Sequence, residues 1–337
     1  MFSGVKASVE ALVLTHGSQL LASPLLPSGL IKHVVVLAER HNRPFIASIN
    51  VINFCNLKCA GCYWSKIERR QQRDEMTVPQ GDQLINELWT RGVRQFLFLG
   101  GEPMMRREEL SHWVQTVADL GGISTIITNA TYGLPAFGEW KQAHYMVSCD
   151  GDKEGMRKIR GLDTFHDNTP VFDLVKDATY GRTDVVLAMT ISKANVERIE
   201  PFVRETRTWG IGGIVFSFAT PNVGEEQSFY LSDERKEDAV KELLRLKAET
   251  GDFIVMSQRA IELLRPAEVA QWHTKCPTYA AVSIRADGKP LERCIFGPEG
   301  DCTRCGCNVS TSFVALREGN KETARMVLLP ARRAGIA

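Results

Sequence analysis

After residue 44 the chain alternates short apolar runs with amphipathic stretches. FIASINVIN (45–53), RQFLFLG (94–100), ISTIIT (123–128), HYMVSC (144–149), DVVLAMT (184–190) and GGIVFSF (212–218) have the length and composition of strands. Residues 77–91, 108–120, 172–180 and 195–209 carry helical spacing between them. Strands alternating with helices pair in parallel, since a parallel neighbour requires a crossover, and right-handed crossovers curl the sheet. The expected fold class is therefore α/β, a partial (β/α)6 TIM-like barrel with a cysteine-rich C-terminal extension and its ligands at the C-terminal strand ends. A charged helix over 232–249, with Ser232 as N-cap, divides the two parts.

Before the barrel, Lys32 is the one Lys, Arg, Asp or Glu between residues 11 and 38, and Pro24 and Pro27 interrupt the apolar run. This is no spanning helix. It reads as secondary structure packed over the main domain, or as a surface that meets lipid, a peripheral membrane contact, or an apolar substrate. The expected organisation is an apolar leader over 1–44, the barrel over 45–250 and the cysteine-rich region over 251–337.

Composition changes this picture little: 44% hydrophobic and 24% charged residues are ordinary for a globular chain. A formal charge of +1 and the lack of a basic stripe interleaved with aromatics argue against nucleic acid as a partner. The nine cysteines are informative, because all but Cys149 fall into an early and a late group, a metal-binding rather than a disulfide pattern. Without a secretory signal pattern, a cytoplasmic setting is expected.

The early group is Cys55-x3-Cys59-x2-Cys62, directly after the first strand. Three thiolates leave a tetrahedral zinc one ligand short but suit a cubane cluster with one open iron. Further along, LGGEP (99–103) ends the second strand, TNA (128–130) the third and SCDG (148–151) the fourth. Alternation puts Ser148 and Asp150 on one strand face and Cys149 on the other, in packing.

These motifs resemble the radical S-adenosylmethionine (SAM) superfamily. The resemblance implies a [4Fe-4S] cluster on Cys55, Cys59 and Cys62, with Tyr63 as the aromatic residue that usually follows. It implies SAM contacts from the GGEP segment (Gly100, Gly101, Glu102, Pro103), Asn129, Ser148, Asp150 and, on the fifth strand, Ser192, with Asn195 a further polar candidate. Asp150 to Gly161 resembles a DG-x8-RG run whose Arg, here Arg160, pairs with the SAM carboxylate, although Met156 and Arg157 stand where His-Asp is usual. The implied chemistry is one-electron cleavage of SAM to a 5′-deoxyadenosyl radical, fed by an external reductant of flavodoxin or ferredoxin type. No individual catalytic acid or base stands out.

In the late group, Cys276 and Cys294 flank a segment that reads as a hairpin turning at Asp287-Gly288, and DCTRCGC adds Cys302, Cys305 and Cys307. This resembles the twitch, or shortened SPASM, extensions of the superfamily. The resemblance implies a second, auxiliary [4Fe-4S] cluster on Cys276, Cys294, Cys302 and Cys305, with Cys307 as alternate. A zinc ribbon-like site is the competing reading.

The motif order, with its apolar leader, is similar to the branch that contains adenosylhopane synthase, which implies a small-molecule or lipid substrate. The main expectation is C–C bond formation or C–H abstraction on an apolar, isoprenoid-like compound. The alternative is peptide modification or alcohol dehydrogenation of the twitch/SPASM type, supported by the late cysteines.

Overall fold

The computed structural model describes residues 27–63, 74–160, 169–225 and 228–336. Within these, the six expected strands are β1 Ile46–Ile52, β2 Gln95–Gly100, β3 Ile123–Thr128, β4 Ala143–Ser148, β5 Val185–Ile191 and β6 Gly213–Phe218; β7 Ala281–Ile284 and the two-residue β8 Pro290–Leu291 follow. The sheet order is β6-β5-β4-β3-β2-β1-β7-β8, so the six strands lie in sequence order and the sheet stays open. All neighbours are parallel except β7 and β8.

The helices are α1 Ser28–Arg40, α2 Val78–Thr90, α3 Arg107–Asp119, α4 Lys153–Arg160, α5 Val171–Thr179, α6 Ile199–Thr206, α7 Asp233–Thr250, α8 Gln258–Glu262, α9 Pro266–Trp272, α10 Asn308–Arg317 and α11 Lys321–Arg333. Local chemistry sets their starts. Thr77 and Gln80 form a capping box on α2, and the Ser232 hydroxyl accepts from Arg235 N at 3.4 Å at the head of α7. In α2, Gly81 lets α3 come close: a Cβ there would sit 2.2 Å from the Trp113 ring, whose Nε1 donates to Val78 O at 3.1 Å.

Strand alternation separates two environments. Ala47, Ile49, Val51, Phe96, Phe98, Ile126, Tyr145, Val147, Leu187, Ile214 and Phe216 pack outward against the helices in one continuous core. Ser48, Leu97, Leu99, Ile127, Met146, Ser148, Ala188, Val215 and Ser217 face an interior cavity.

Two features go beyond the pattern reading. The expected hairpin at Asp287-Gly288 forms, with Gly288 at φ +80°, but its first strand also joins the barrel sheet, Ile46 pairing with Ala281 and Ile49 with Ile284. Residues 153–160, within the DG-x8-RG run and not among the helices expected above, form α4. Helix α1 shares a buried cluster with β1, β2 and α10 through Val34, Val35, Leu37, Leu97, Leu99, Phe313 and Leu316. Residues 1–26 of the charge-poor N-terminal stretch lie outside the described residues. Among the described residues no helix is long and apolar enough to cross a membrane.

Candidate active site

The loop after β1 is held from three sides. Gly101 N donates to Ile52 O and Glu102 N to Phe54 O, both at 2.9 Å, so the GGEP turn clamps the loop's first residues. This is where the glycines matter: a Cβ on Gly101 would lie 1.8 Å from Phe54 O, and one on Gly100, at φ +136°, 2.4 Å from Ile52 O. From the far side Ala60 N donates to Ile159 O at 2.6 Å, tying the loop to α4.

Glu102 sits under this turn, 1% exposed, accepting from Thr128 Oγ1 (2.6 Å), Asn129 N (2.8 Å) and Met104 N (3.0 Å). Burial pushes its carboxyl above the ordinary range, while those three donors pull the other way. It therefore fastens the ends of β2 and β3 together. Asn129 continues the lattice, its Nδ2 donating to Asn56 Oδ1 at 2.9 Å and lying 4.0 Å from Cys55 Sγ, while Asn56 Nδ2 donates to Thr131 Oγ1 at 2.8 Å.

On the opposite wall Asp150 and Arg160 form a buried pair at 2.8 Å, and Asp150 Oδ1 also accepts from Thr190 N at 2.8 Å. Arg160 Nη1 points at Cys59 Sγ from 3.9 Å, and its buried Nε has no partner among the described residues. Asn195 braces this corner from behind, donating to Asp150 O and Thr190 O at 3.0 Å each.

Cys55, Cys59, Cys62, Tyr63, Gly100, Gly101, Glu102, Asn129, Ser148, Asp150 and Arg160 all border one cavity of about 340 Å3, within the range of small-molecule sites. Two expected contacts lie elsewhere. Pro103 is buried at the start of a 3-10 turn behind the wall. Ser192 is fully buried, its N and Oγ turned to Asn195 Oδ1 at 2.7 and 3.2 Å, because the chain curls back after β5. Gly161 lies outside the described residues, and Cys149 is in the core, as alternation requires.

Late cysteines border the same cavity. Cys276, Cys294 and Cys307 are on its wall, and a second cavity behind is lined by Cys276, Cys294, Cys302 and Cys305. The two groups meet directly where the Tyr63 and Phe296 rings stack edge-on, 5.3 Å between centroids. Gly306, between Cys305 and Cys307, accepts from Phe218 N at 2.9 Å and so docks the late loop on the open edge of β6. Arg293, not singled out from the sequence, also lines the cavity, at φ +65°.

Burial pushes the thiols up: Cys55 and Cys294 to about 11, Cys276 to about 12, and Cys59 and Cys305 upward as well. At neutral pH they stay protonated unless a metal takes the charge. Among the described residues no three His, Cys, Asp or Glu side chains converge tightly enough to hold a single metal ion. The donor chemistry fits iron–sulfur clusters: two thiol sets bordering a common space, with a guanidinium nitrogen that has no partner among the described residues beside the first.

Residues 49–205 match the family model of the Radical SAM superfamily. Fe-coproporphyrin III synthase of Methanosarcina barkeri is 29% identical over 185 residues, 52% of this chain and 43% of that protein. PqqA peptide cyclase of Bradyrhizobium diazoefficiens is 28% identical over 134 residues, 38% of this chain and 35% of that one. This chain thus spans less than half the length of either curated relative. Streptococcus suis SuiB bound to S-adenosylmethionine superposes with a TM-score of 0.56 at 18% identity, covering 78% of this chain and 64% of that one, a likeness of fold. The cysteine loop, the GGEP turn and the DG turn all lie inside the matched span, so residues 49–205 carry the likeness to the Radical SAM superfamily.

Proposed function

We propose that this chain is a radical SAM enzyme that carries two [4Fe-4S] clusters and modifies a peptide side chain in the cavity between them. The observation that carries the reading is that one cavity is bordered both by Cys55, Cys59 and Cys62 and by Cys276, Cys294 and Cys307. When bound, the first cluster and SAM would supply reductive cleavage of the sulfonium and an adenosyl radical, with electrons from an external flavodoxin- or ferredoxin-type donor. The protein's own part is positional. Cys55, Cys59 and Cys62 would hold three irons; Asn129, Ser148, Glu102 and the Asp150–Arg160 pair would border SAM; the apolar wall of Leu97, Leu99, Ile127, Met146 and Val215 would keep water out.

A peptide is favoured over an isoprenoid on two grounds. PqqA peptide cyclase, a relative in sequence, acts on a peptide by its name. In addition, Arg293, which borders the cavity and is exposed, has no acidic partner among the described residues; it donates to Pro298 O (3.5 Å) and weakly toward Cys302 Sγ (3.9 Å). A hydrocarbon offers nothing to that guanidinium, whereas an acidic side chain or a carboxylate terminus does. The resemblance to the adenosylhopane branch is therefore set aside as the main reading.

Anaerobic reconstitution tests the proposal, with about eight irons per chain expected for two cubanes against about four for one cubane and a zinc site. Reduced protein should then convert SAM to 5′-deoxyadenosine. Incubation with candidate precursor peptides and with isoprenoids, read by mass spectrometry, decides the substrate. A product only from the isoprenoid would overturn the peptide reading.

A further inference from the structure

Lys236 lies in the first turns of α7 and is 3% exposed. Its ammonium donates to one neutral acceptor, Arg304 O, at 3.2 Å, and Arg304 is the residue before Cys305 in DCTRCGC. Among the described residues no carboxylate comes within 4 Å of it. The charged groups around it are Arg304, of the same sign, then Asp233, Cys305 and Asp301.

Taking an ammonium out of water costs several kcal/mol, and one carbonyl does not offset that. A buried cation without an ion pair calls for another counter-charge. The loop it holds can provide one: Asp301 Oδ1 accepts from Thr303 N (3.0 Å), folding the Cys302–Arg304 turn, and Cys305 is packed with Cys276 against Leu263, Val269 and Trp272. Four thiolates around a cubane leave a net negative charge in both oxidation states, and reduction adds one more electron.

Resting on the two-cluster reading, we propose that Lys236 is the fixed counter-charge of the late cysteine centre and raises its reduction potential. The step involved is the uptake of one electron from an external one-electron donor; no bond forms and no proton moves. The buried cation favours the more negative, reduced form. Lys236 is thus a positioning charge rather than a catalytic residue.

The test is a dithionite titration of the anaerobically reconstituted full chain, followed by electron paramagnetic resonance, for wild type, Lys236→Gln and Lys236→Arg. With iron content unchanged, Lys236→Gln should move one midpoint to more negative potential and leave the other in place, while Lys236→Arg stays near wild type. Loss of the late iron from Lys236→Gln alone, with Lys236→Arg intact, supports the same charge requirement. Unchanged midpoints in Lys236→Gln overturn the proposal, as does equal loss of late iron from both variants, which would mark a role of shape. Wild type holding only about four irons would instead bring down the two-cluster reading itself.

Discussion

Arg160 grips Asp150 at 2.8 Å with one terminal nitrogen and reaches toward Cys59 Sγ at 3.9 Å with the other. One side chain therefore joins the end of β4 to the cysteine loop from the last residue of α4. Both partners are buried, at 12% and 4% side-chain exposure, so removing one strands a charge. Arg160→Met should lose about 3–5 kcal/mol by urea unfolding, and the Arg160→Met/Asp150→Asn double variant should recover much of it. Arg160→Lys, which keeps charge but not the fork, should weaken SAM binding with iron content unchanged. Equal stability of Arg160→Met and wild type would show that the pair is not coupled.

Gly101 makes a sharper demand. Its missing Cβ leaves room for Phe54 O, Phe54 C and Cys55 N, all within 2.8 Å of where that carbon would be, and backbone cannot swing aside as a side chain can. Gly101→Ala should push the cysteine loop off the GGEP turn and remove about four irons per chain while the late set keeps its own. Gly29→Ala is the control, since nothing lies within 4 Å there. Full iron in Gly101→Ala would mean that the loop is not set by this contact.

Periodicity made the six barrel strands and the helices α2, α3, α5, α6 and α7 legible, and the turn chemistry of Asp287-Gly288 marked the hairpin. What remained hidden depends on partners distant in sequence. Nothing in the four residues of β7 names β1 as its neighbour, so the attachment of the late cysteines to the barrel was not foreseen. Residues 153–160 escaped as a helix because KEGMRKIR is mostly charged and contains Gly155, with few apolar positions to mark a face. Motif positions located Glu102 and Arg160, but not that Glu102 staples two strands or that Arg160 is already paired. Ser192 shows the reverse: a polar residue at a strand end reads as a contact, yet the following turn closes it onto Asn195. Lys236 looks like an ordinary surface cation in sequence, and only packing shows that it is buried, whereas Arg293 is exposed and borders the cavity.

Cys305 and Cys307 should separate under mutation. Cys305 joins Cys276, Cys294 and Cys302 around the second cavity and packs on Leu263, Val269 and Trp272, whereas Cys307 faces the main cavity with Cys276 and Cys294. Cys305→Ala should lose about half the iron and lower the melting temperature, because metal binding and folding are coupled in small thiolate sites. Cys307→Ala should keep its iron. The opposite pattern, with Cys305→Ala unaffected, would exchange the two as ligands and leave two clusters standing.

His144 supplies an acid-sensitive point away from the cysteines. It is 3% exposed on β4, its Nε2 3.0 Å from Thr125 Oγ1 and its buried Nδ1 without a partner among the described residues. Burial pushes it down from 6.5 to about 4, against the weaker pull of Asp184. Because the folded chain holds the neutral ring, the unfolded chain binds more protons between those two values. Stability from this group is complete above about pH 6.5 and falls as the pH drops toward about 4. The loss should reach about 2 kcal/mol between about pH 7.5 and pH 5. His144→Gln, which can still bond to Thr125 but cannot titrate there, should flatten that part of the pH profile in urea unfolding compared with wild type. Parallel profiles for the two chains would place the acid sensitivity elsewhere.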